Sequence, residues 1–252
     1  MPGRLYAEEC PMTTKERILA LLENNKGRYV SSHLLTEETG ISRSAVWKAV
    51  CELREEGYAI ESQPRNGYRL SEDSDRISLQ GIAVYLKDRS LLDRAVVFDE
   101  LASTNRMAKL NVVSGMTDKT VIIARRQTNG AGHGGTDYNS PEGGIYLSLI
   151  REPRKGERRL TAADIGRKVA AVIEAETQQE TRLDEATNRI YIEKKKVCGI
   201  LTETIADLET GEITAYIIGI GIQIDGTRKN RVIAALIQTF IGEEPEQGGV
   251  PA

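Results

Sequence analysis

The stretch 125-RRQTNGAGHGGTDYNSPEGGIYLSL-149 decides how this chain is read. Two arginines lead into a loop carrying Gly130, Gly132, Gly134 and Gly135, and an apolar run follows Gly144. Glycine supplies positive φ and lets a backbone approach a ligand closely. Loops of this composition commonly cradle a phosphate, yet no Arg or Lys follows Arg126 within it. His133 could add partial charge, its unperturbed pKa being about 6.5. The loop therefore has the glycines of a phosphate cradle without the cations that would hold a phosphate.

Its flanks place it between strands. TVIIARRQ (120–127) is apolar from Val121 to Ala124, and GIYLSLIR (144–151) follows the loop. Upstream, AVVFDEL (95–101) reads as a strand and STNRMAKLN (103–111) as a helix capped by Ser103 or Thr104. Downstream, TAADIGRKVAAVIEAETQQ (161–179) has the helical apolar stripe Ile165, Val169, Val172 and Ile173. KVCGILTETIADLETGEITAYIIGIGIQI (196–224) is a hairpin turning at Leu208 to Gly211, and NRVIAALIQTFIG (230–242) is a last helix. Strands, helices and a hairpin in this order predict a mixed α+β domain over residues 79–242.

The first seventy residues have a different grammar. TTKERILALLENN (13–25) is an amphipathic helix with Thr13 or Thr14 as N-cap and Glu16 well placed for a capping box. SSHLLTEETG (31–40) is a shorter helix ended by Gly40, and SRSAVWKAVCELREEG (42–57) a third, started by Ser42. YAIESQPRNGYRL (58–70) folds back as a two-stranded wing. The spacing predicts a winged helix-turn-helix over residues 13–70, with the third helix entering a DNA groove. Ser42, Arg43, Ser44, Trp47 and Lys48 then face base edges and phosphates, and Arg65 and Asn66 at the wing tip reach the backbone or the minor groove. Residues 1–70 carry ten Lys/Arg against ten Asp/Glu, so any basic character is local. The polar SEDSDRIS (71–78) reads as the linker.

Bulk properties bound the remainder. The 252 residues carry a formal net charge of −3, with 40% hydrophobic and 28% charged residues, as in an ordinary soluble protein. No apolar run reaches membrane-spanning length, so no membrane partner is expected. The opening MPGRLYAEECP lacks the apolar core of a secretion signal, which predicts a cytoplasmic location. Met12 is an alternative start, residues 1–12 a flexible N-terminus, and 243–252 a disordered tail. Three scattered cysteines and two histidines predict no metal site.

A winged helix, then STN (103–105), then a glycine loop before SPEGGIYLSL, then KVCGIL and IGIGI: this ordered set resembles the biotin protein ligases. More narrowly, it is similar to the bifunctional ligases that also repress the biotin operon. The resemblance covers about residues 13–241. It implies a winged helix joined to a mixed-sheet biotin/lipoate ligase-like domain, and a reaction that makes biotinyl-adenylate from biotin and ATP with Mg²⁺. It also implies a ligand site containing Ser103, Thr104, Asn105, Gln127, Gly130, Gly132, Gly135, Lys196 and Gly199. Lys196 is the catalytic candidate if the chain is an active ligase.

Departures from the family pattern shift the expectation. The loop's arginine positions hold Ala131, His133, Gly134 and Thr136, its Trp position holds Tyr138, and the later Gly-Ile-Asn has Gln223. In the Lys-Trp-Pro-Asn-Asp segment only Asn188 survives, and Arg189 stands at the acidic position. The family's small C-terminal domain has no counterpart after Ile241. The reading is a degenerate ligase domain, stripped of guanidinium groups, that serves as sensor or dimer module of a DNA-binding repressor. Its partners are a double-stranded operator, a second copy of the chain, and a small-molecule effector such as biotin or biotinyl-adenylate. The alternative is an active biotin–carboxyl-carrier protein ligase that also represses transcription.

Overall fold

Thr13 starts the first helix of the computed structural model, which describes residues 12–115, 118–224, 226 and 228–242. The expected flexible N-terminus, residues 1–12, and disordered tail, 243–252, lie outside that set except for Met12. The Thr13 hydroxyl accepts from the Glu16 backbone N–H at 3.3 Å, and the Thr13 N–H donates to Glu16 Oε2 at 2.7 Å. This reciprocal box satisfies orphan donors at the start of α1 (Thr14–Asn24). Ser31 Oγ accepts from Leu34 N at 3.1 Å to open α2 (Ser32–Thr39), which Gly40 ends at φ 70°. Ser42 Oγ accepts from Ala45 N at 3.2 Å to open α3 (Arg43–Glu55).

The wing is β1 (Ile60–Gln63) paired antiparallel with β2 (Gly67–Leu70), Ile60 opposite Leu70. Backbone bonds between Val30 and Tyr68, at 2.7 and 2.9 Å, tie the wing to the helices. Gly67 permits that approach: its φ is 97°, and a Cβ there would meet Val30 O at 2.1 Å. Ile18, Leu22, Leu35, Val46, Val50, Leu53 and Leu70 close the core of this unit.

The chain divides into two compact units between Tyr85 and Leu86. The segment read as a linker is partly inside the first unit. Ser74, Ile77 and Ser78 are buried, and Lys26 Nζ donates to the Ser74 carbonyl. Ser78 Oγ accepts from Gly81 N at 3.0 Å to cap α4 (Leu79–Ala83), which packs on α1. The sequence reading begins the second domain at residue 79, whereas α4 packs on α1 and falls within the first unit.

The second unit is a seven-stranded mixed sheet. Its strands are β3 (Ala95–Leu101), β4 (Thr120–Gln127), β5 (Ile145–Arg151), β6 (Thr181–Asp184), β7 (Arg189–Ile192), β8 (Lys195–Ala206) and β9 (Ile213–Ile222). They lie in the order β3-β4-β5-β9-β8-β7-β6. β3 and β4 are parallel, joined by the crossover helix α5 (Thr104–Val113); the other neighbours are antiparallel. Ala108 of α5 packs on Ile122, Ile150, Ala215 and Ile217 on one face. α6 (Ala162–Thr177) and α7 (Lys229–Phe240) pack on each other and on β5, β6 and β7. The α+β architecture agrees with the sequence reading, which did not anticipate the β6–β7 hairpin.

Candidate functional site

In the winged unit, the outward face of α3 is the candidate DNA interface. Val46, Ala49, Val50 and Leu53 turn into the core, which leaves the first turns' other residues outside. Ser42, Arg43, Ser44, Trp47 and Lys48 are all exposed, Trp47 to 60%. Among the described residues neither Arg43 nor Lys48 forms an ion pair, so both charges are available to a polyanion. Arg65, at φ 69°, and Asn66 are exposed at the wing tip, where Asn66 Nδ2 donates to Gln63 Oε1 at 3.0 Å.

In the sheet unit, a pocket opens where the glycine loop meets the sheet. One wall is a hydrogen-bonded polar network. Ser103 caps α5 by accepting from Arg106 N at 3.4 Å, which brings Thr104 and Asn105 to the wall. Thr104 N donates to Gln127 Oε1 at 2.8 Å, and Gln127 Nε2 donates to Ser140 Oγ at 2.9 Å. Ser140 Oγ in turn donates to the Tyr138 carbonyl at 3.0 Å. Ser148 Oγ lies 2.8 Å from Thr104 Oγ1 and 2.6 Å from Asn105 Oδ1, and Asn105 Nδ2 donates to Glu203 Oε2 at 3.1 Å. Each of these buried groups has a partner, so the wall is preorganised.

The floor follows from strand register. Tyr146 of β5 stands opposite Gly221 of β9, Gly221 opposite Gly199 of β8, and Gly199 opposite Arg189 of β7. Opposed residues of paired strands share a face. The row Tyr146–Gly221–Gly199–Arg189 therefore has a two-glycine gap at its centre. Tyr138 fills that gap. A Cβ on Gly199 would meet its ring at 2.7 Å and one on Gly221 at 2.4 Å. The Tyr138 hydroxyl donates to the Gly221 carbonyl at 2.7 Å, and burial pushes the phenol pKa well up. Gly219 gives the neighbouring contact, since a Cβ there would meet Asn105 Oδ1 at 2.0 Å.

The remaining edge is cationic. Lys196 and Arg189 both line the pocket. The Lys196 ammonium sits 4.7 Å above the Tyr138 ring centroid. Burial first, and then the neighbouring Arg189 charge, hold its pKa below the usual lysine value. Arg189 corrects the expectation that this pocket is stripped of guanidinium groups. The loop does lack them, but a strand contributes one, because the register with Gly199 turns Arg189 to the pocket face.

Of the residues expected at the ligand, Ser103, Thr104, Asn105, Gln127, Gly132, Lys196 and Gly199 line the pocket together. Gly130 and Gly135 are not among the lining residues. The Gly130 carbonyl accepts from Tyr138 N at 2.8 Å, so it holds the base of the loop, whereas Gly135, at φ 78°, has nothing within 4 Å of where a Cβ would be. The sequence reading missed Thr187, Arg189, Gly219 and Gly221 as pocket residues. Alternate glycines in the apolar run IIGIGI were the available signal for the last two, since an interior strand glycine often marks close approach. Among the described residues no group of three His, Cys, Asp or Glu could hold a metal ion, and no helix is long and apolar enough to cross a membrane.

Comparison with known proteins follows the same division. Residues 14–69 match a family model described as an HTH domain, and residues 97–223 match the Biotin/lipoate A/B protein ligase family. The "Bifunctional ligase/repressor BirA" of Bacillus subtilis (strain 168) is 31% identical over 245 residues, covering 94% of this chain and 75% of that protein. Its namesake in Escherichia coli (strain K12) is 29% identical over 218 residues, covering 84% and 64%. A solved structure titled biotin protein ligase from Aquifex aeolicus in complex with biotin and ATP aligns with TM-score 0.45 and 27% identity, over 58% of this chain and 68% of that one.

Proposed function

We propose a function from one premise: the chain belongs to the family of bifunctional biotin ligase/repressors, whose helix-turn-helix and biotin/lipoate ligase domains it carries in that order. Within that family it is a DNA-binding repressor that acts as a homodimer. Its ligase-like domain is degenerate and serves as a ligand sensor or dimerisation module. The observation that carries the DNA-binding reading is the solvent face of α3, where Arg43, Trp47 and Lys48 stand exposed. An exposed tryptophan and two unpaired cations at the start of such a helix suit phosphate positioning and groove contact.

The pocket supports the sensor reading. Its polar wall fits an uncharged polar group such as a ureido ring, and Lys196 with Arg189 fits the anionic end of the same molecule. Ser103, Thr104, Asn105, Gln127 and Lys196 would hold biotin there. ATP with Mg²⁺ would supply the adenylating group in an active ligase. A triphosphate finds no arginine in the glycine loop, which weighs against rapid adenylation. The second reading, an active ligase, is favoured by one observation: the pocket keeps two cations rather than one.

Gel-shift titration with the DNA upstream of the chain's own gene tests the repressor reading. Binding should weaken steeply with salt, as phosphate contacts require. Arg43→Ala and Lys48→Ala should each weaken it about tenfold and flatten the salt slope by about one. Binding that is unaffected by either substitution would exclude α3 as the reading helix.

A further inference from the structure

We propose that Glu203 is a positioning residue for the pocket: its carboxylate, which does not line the cavity, sets which way the Asn105 amide faces and thereby the hydrogen-bonding sense of the wall that meets a ligand; the proposal rests on the sensor reading above.

The two ends of an amide have nearly the same shape, so its partners decide its orientation. Asn105 lies across Gly219, where a Cβ would come within 2.0 Å of Oδ1 and 2.9 Å of Nδ2, and that close packing alone does not settle which end is which. The partners do. Asn105 and Lys109 are one turn apart on α5, and both reach Glu203 of β8. Lys109 Nζ lies 2.7 Å from Glu203 Oε1. Asn105 Nδ2 donates to Glu203 Oε2 at 3.1 Å and to the Leu201 carbonyl at 3.3 Å. A carboxylate only accepts, so the amide nitrogen must face it. Oδ1 is then turned to Ser148, whose hydroxyl donates to it at 2.6 Å. Ser148 has one proton, so across the 2.8 Å contact with Thr104 Oγ1 it accepts. The Thr104 proton goes into the wall, to Ser148 or to Gln127 Oε1 at 3.2 Å, and Thr104 meets a ligand as an acceptor. Thr104 and Asn105 line the pocket, whereas Glu203 and Lys109 do not. The order of donors and acceptors in the wall is therefore set from outside it. Lys109 sharpens the requirement, because an ammonium has donors only and must face an acceptor on residue 203. A glutamine at that position would turn its carbonyl to Lys109 and its NH₂ to Asn105. That reverses the amide and, through Ser148, the wall.

Calorimetry with biotin on the full chain tests this, beside NMR of the Asn105 side-chain amide, identified as the signal missing from Asn105→Ala. Glu203→Gln should weaken biotin binding about tenfold, the size of one hydrogen bond lost, and should move the Asn105 signal. Lys109→Met alone should leave biotin binding as in the wild type, because the carboxylate still accepts from Asn105. Adding Lys109→Met to Glu203→Gln should restore most of the lost binding and bring the amide signal back to its place in Lys109→Met, since the glutamine carbonyl can then face Asn105. A loss that Lys109→Met deepens or leaves in place overturns the proposal, as does an Asn105 signal that Glu203→Gln does not move. If the wild type binds no biotin, biotin fails as the effector; recovery of the amide signal in the double variant then supports the role of Glu203, and its absence overturns it.

Discussion

A Cβ built on Gly221 would lie 2.4 Å from Tyr138 Cε1, closer than real Cβ contacts come. The site is therefore specified by a pair of residues, one that withdraws a side chain and one that fills the space. Gly221→Ala should destabilise the protein by roughly 1–3 kcal/mol, the usual cost of overpacking. In a Tyr138→Ala background the same substitution should cost no more than about 0.5 kcal/mol, because its obstacle is gone. Urea denaturation of the four proteins measures the coupling. Additive losses would mean that Tyr138 does not rest on the glycine floor. Little of this pairing is legible in the sequence. Tyr138 and Gly221 are 83 residues apart, and only the register of β5, β9 and β8 places them together.

Caps are the opposite case, because they are local. Thr161 and Asp164 could be read as the start of α6 from spacing alone, and the structure gives the reciprocal box: Thr161 N to Asp164 Oδ2 at 3.1 Å, Asp164 N to Thr161 Oγ1 at 3.1 Å. The Thr161 hydroxyl, then its backbone N–H, then the Arg167 guanidinium hold the Asp164 carboxyl well below the usual carboxylate range. A carboxyl whose folded pKa is depressed stabilises the fold above its unfolded pKa of about 3.9 and loses that contribution as pH falls towards the folded value. Wild-type melting temperature should therefore drop between pH 4 and pH 2, approximately the window set by the unfolded and folded values. Asp164→Asn should lower the melting temperature at neutral pH and narrow its gap from wild type across that acid window. A gap that stays constant with pH would show that the carboxylate charge adds nothing to the box. The same locality made α3 readable from Ser42 and narrowed the starts of α1 and α2 to a pair of neighbouring hydroxyl residues each, of which the structure uses Thr13 and Ser31. It did not help with β6 and β7, whose four residues each are too short and too charged to show a period. Since Arg189 begins β7, missing the hairpin meant missing the direction in which that guanidinium faces.

The chain carries a helix-turn-helix unit and a ligase-like unit, and the pocket of the second draws its cations from strands rather than from the glycine loop. Adenylation places a carboxylate against an α-phosphate, and the charge that develops must be met by donors already in place. Here the loop that would cover the reacting phosphates offers backbone N–H groups without arginine, while both pocket cations come from the β7–β8 side. Cations gathered at one edge suit holding a ground-state acid more than following charge onto a leaving pyrophosphate. With biotin and Mg·ATP, pyrophosphate release should be at least about 10²-fold slower than for the Bacillus subtilis relative assayed beside it, since one lost oxyanion-type donor commonly costs 10²–10³ in rate. Lys196→Met should abolish biotin binding and any residual release together, while Arg43→Ala should alter neither. Release within about tenfold of the relative, under matched conditions, would mean that Arg189 or the loop backbone supplies the missing charge, and the chain would then be a working ligase that also binds DNA.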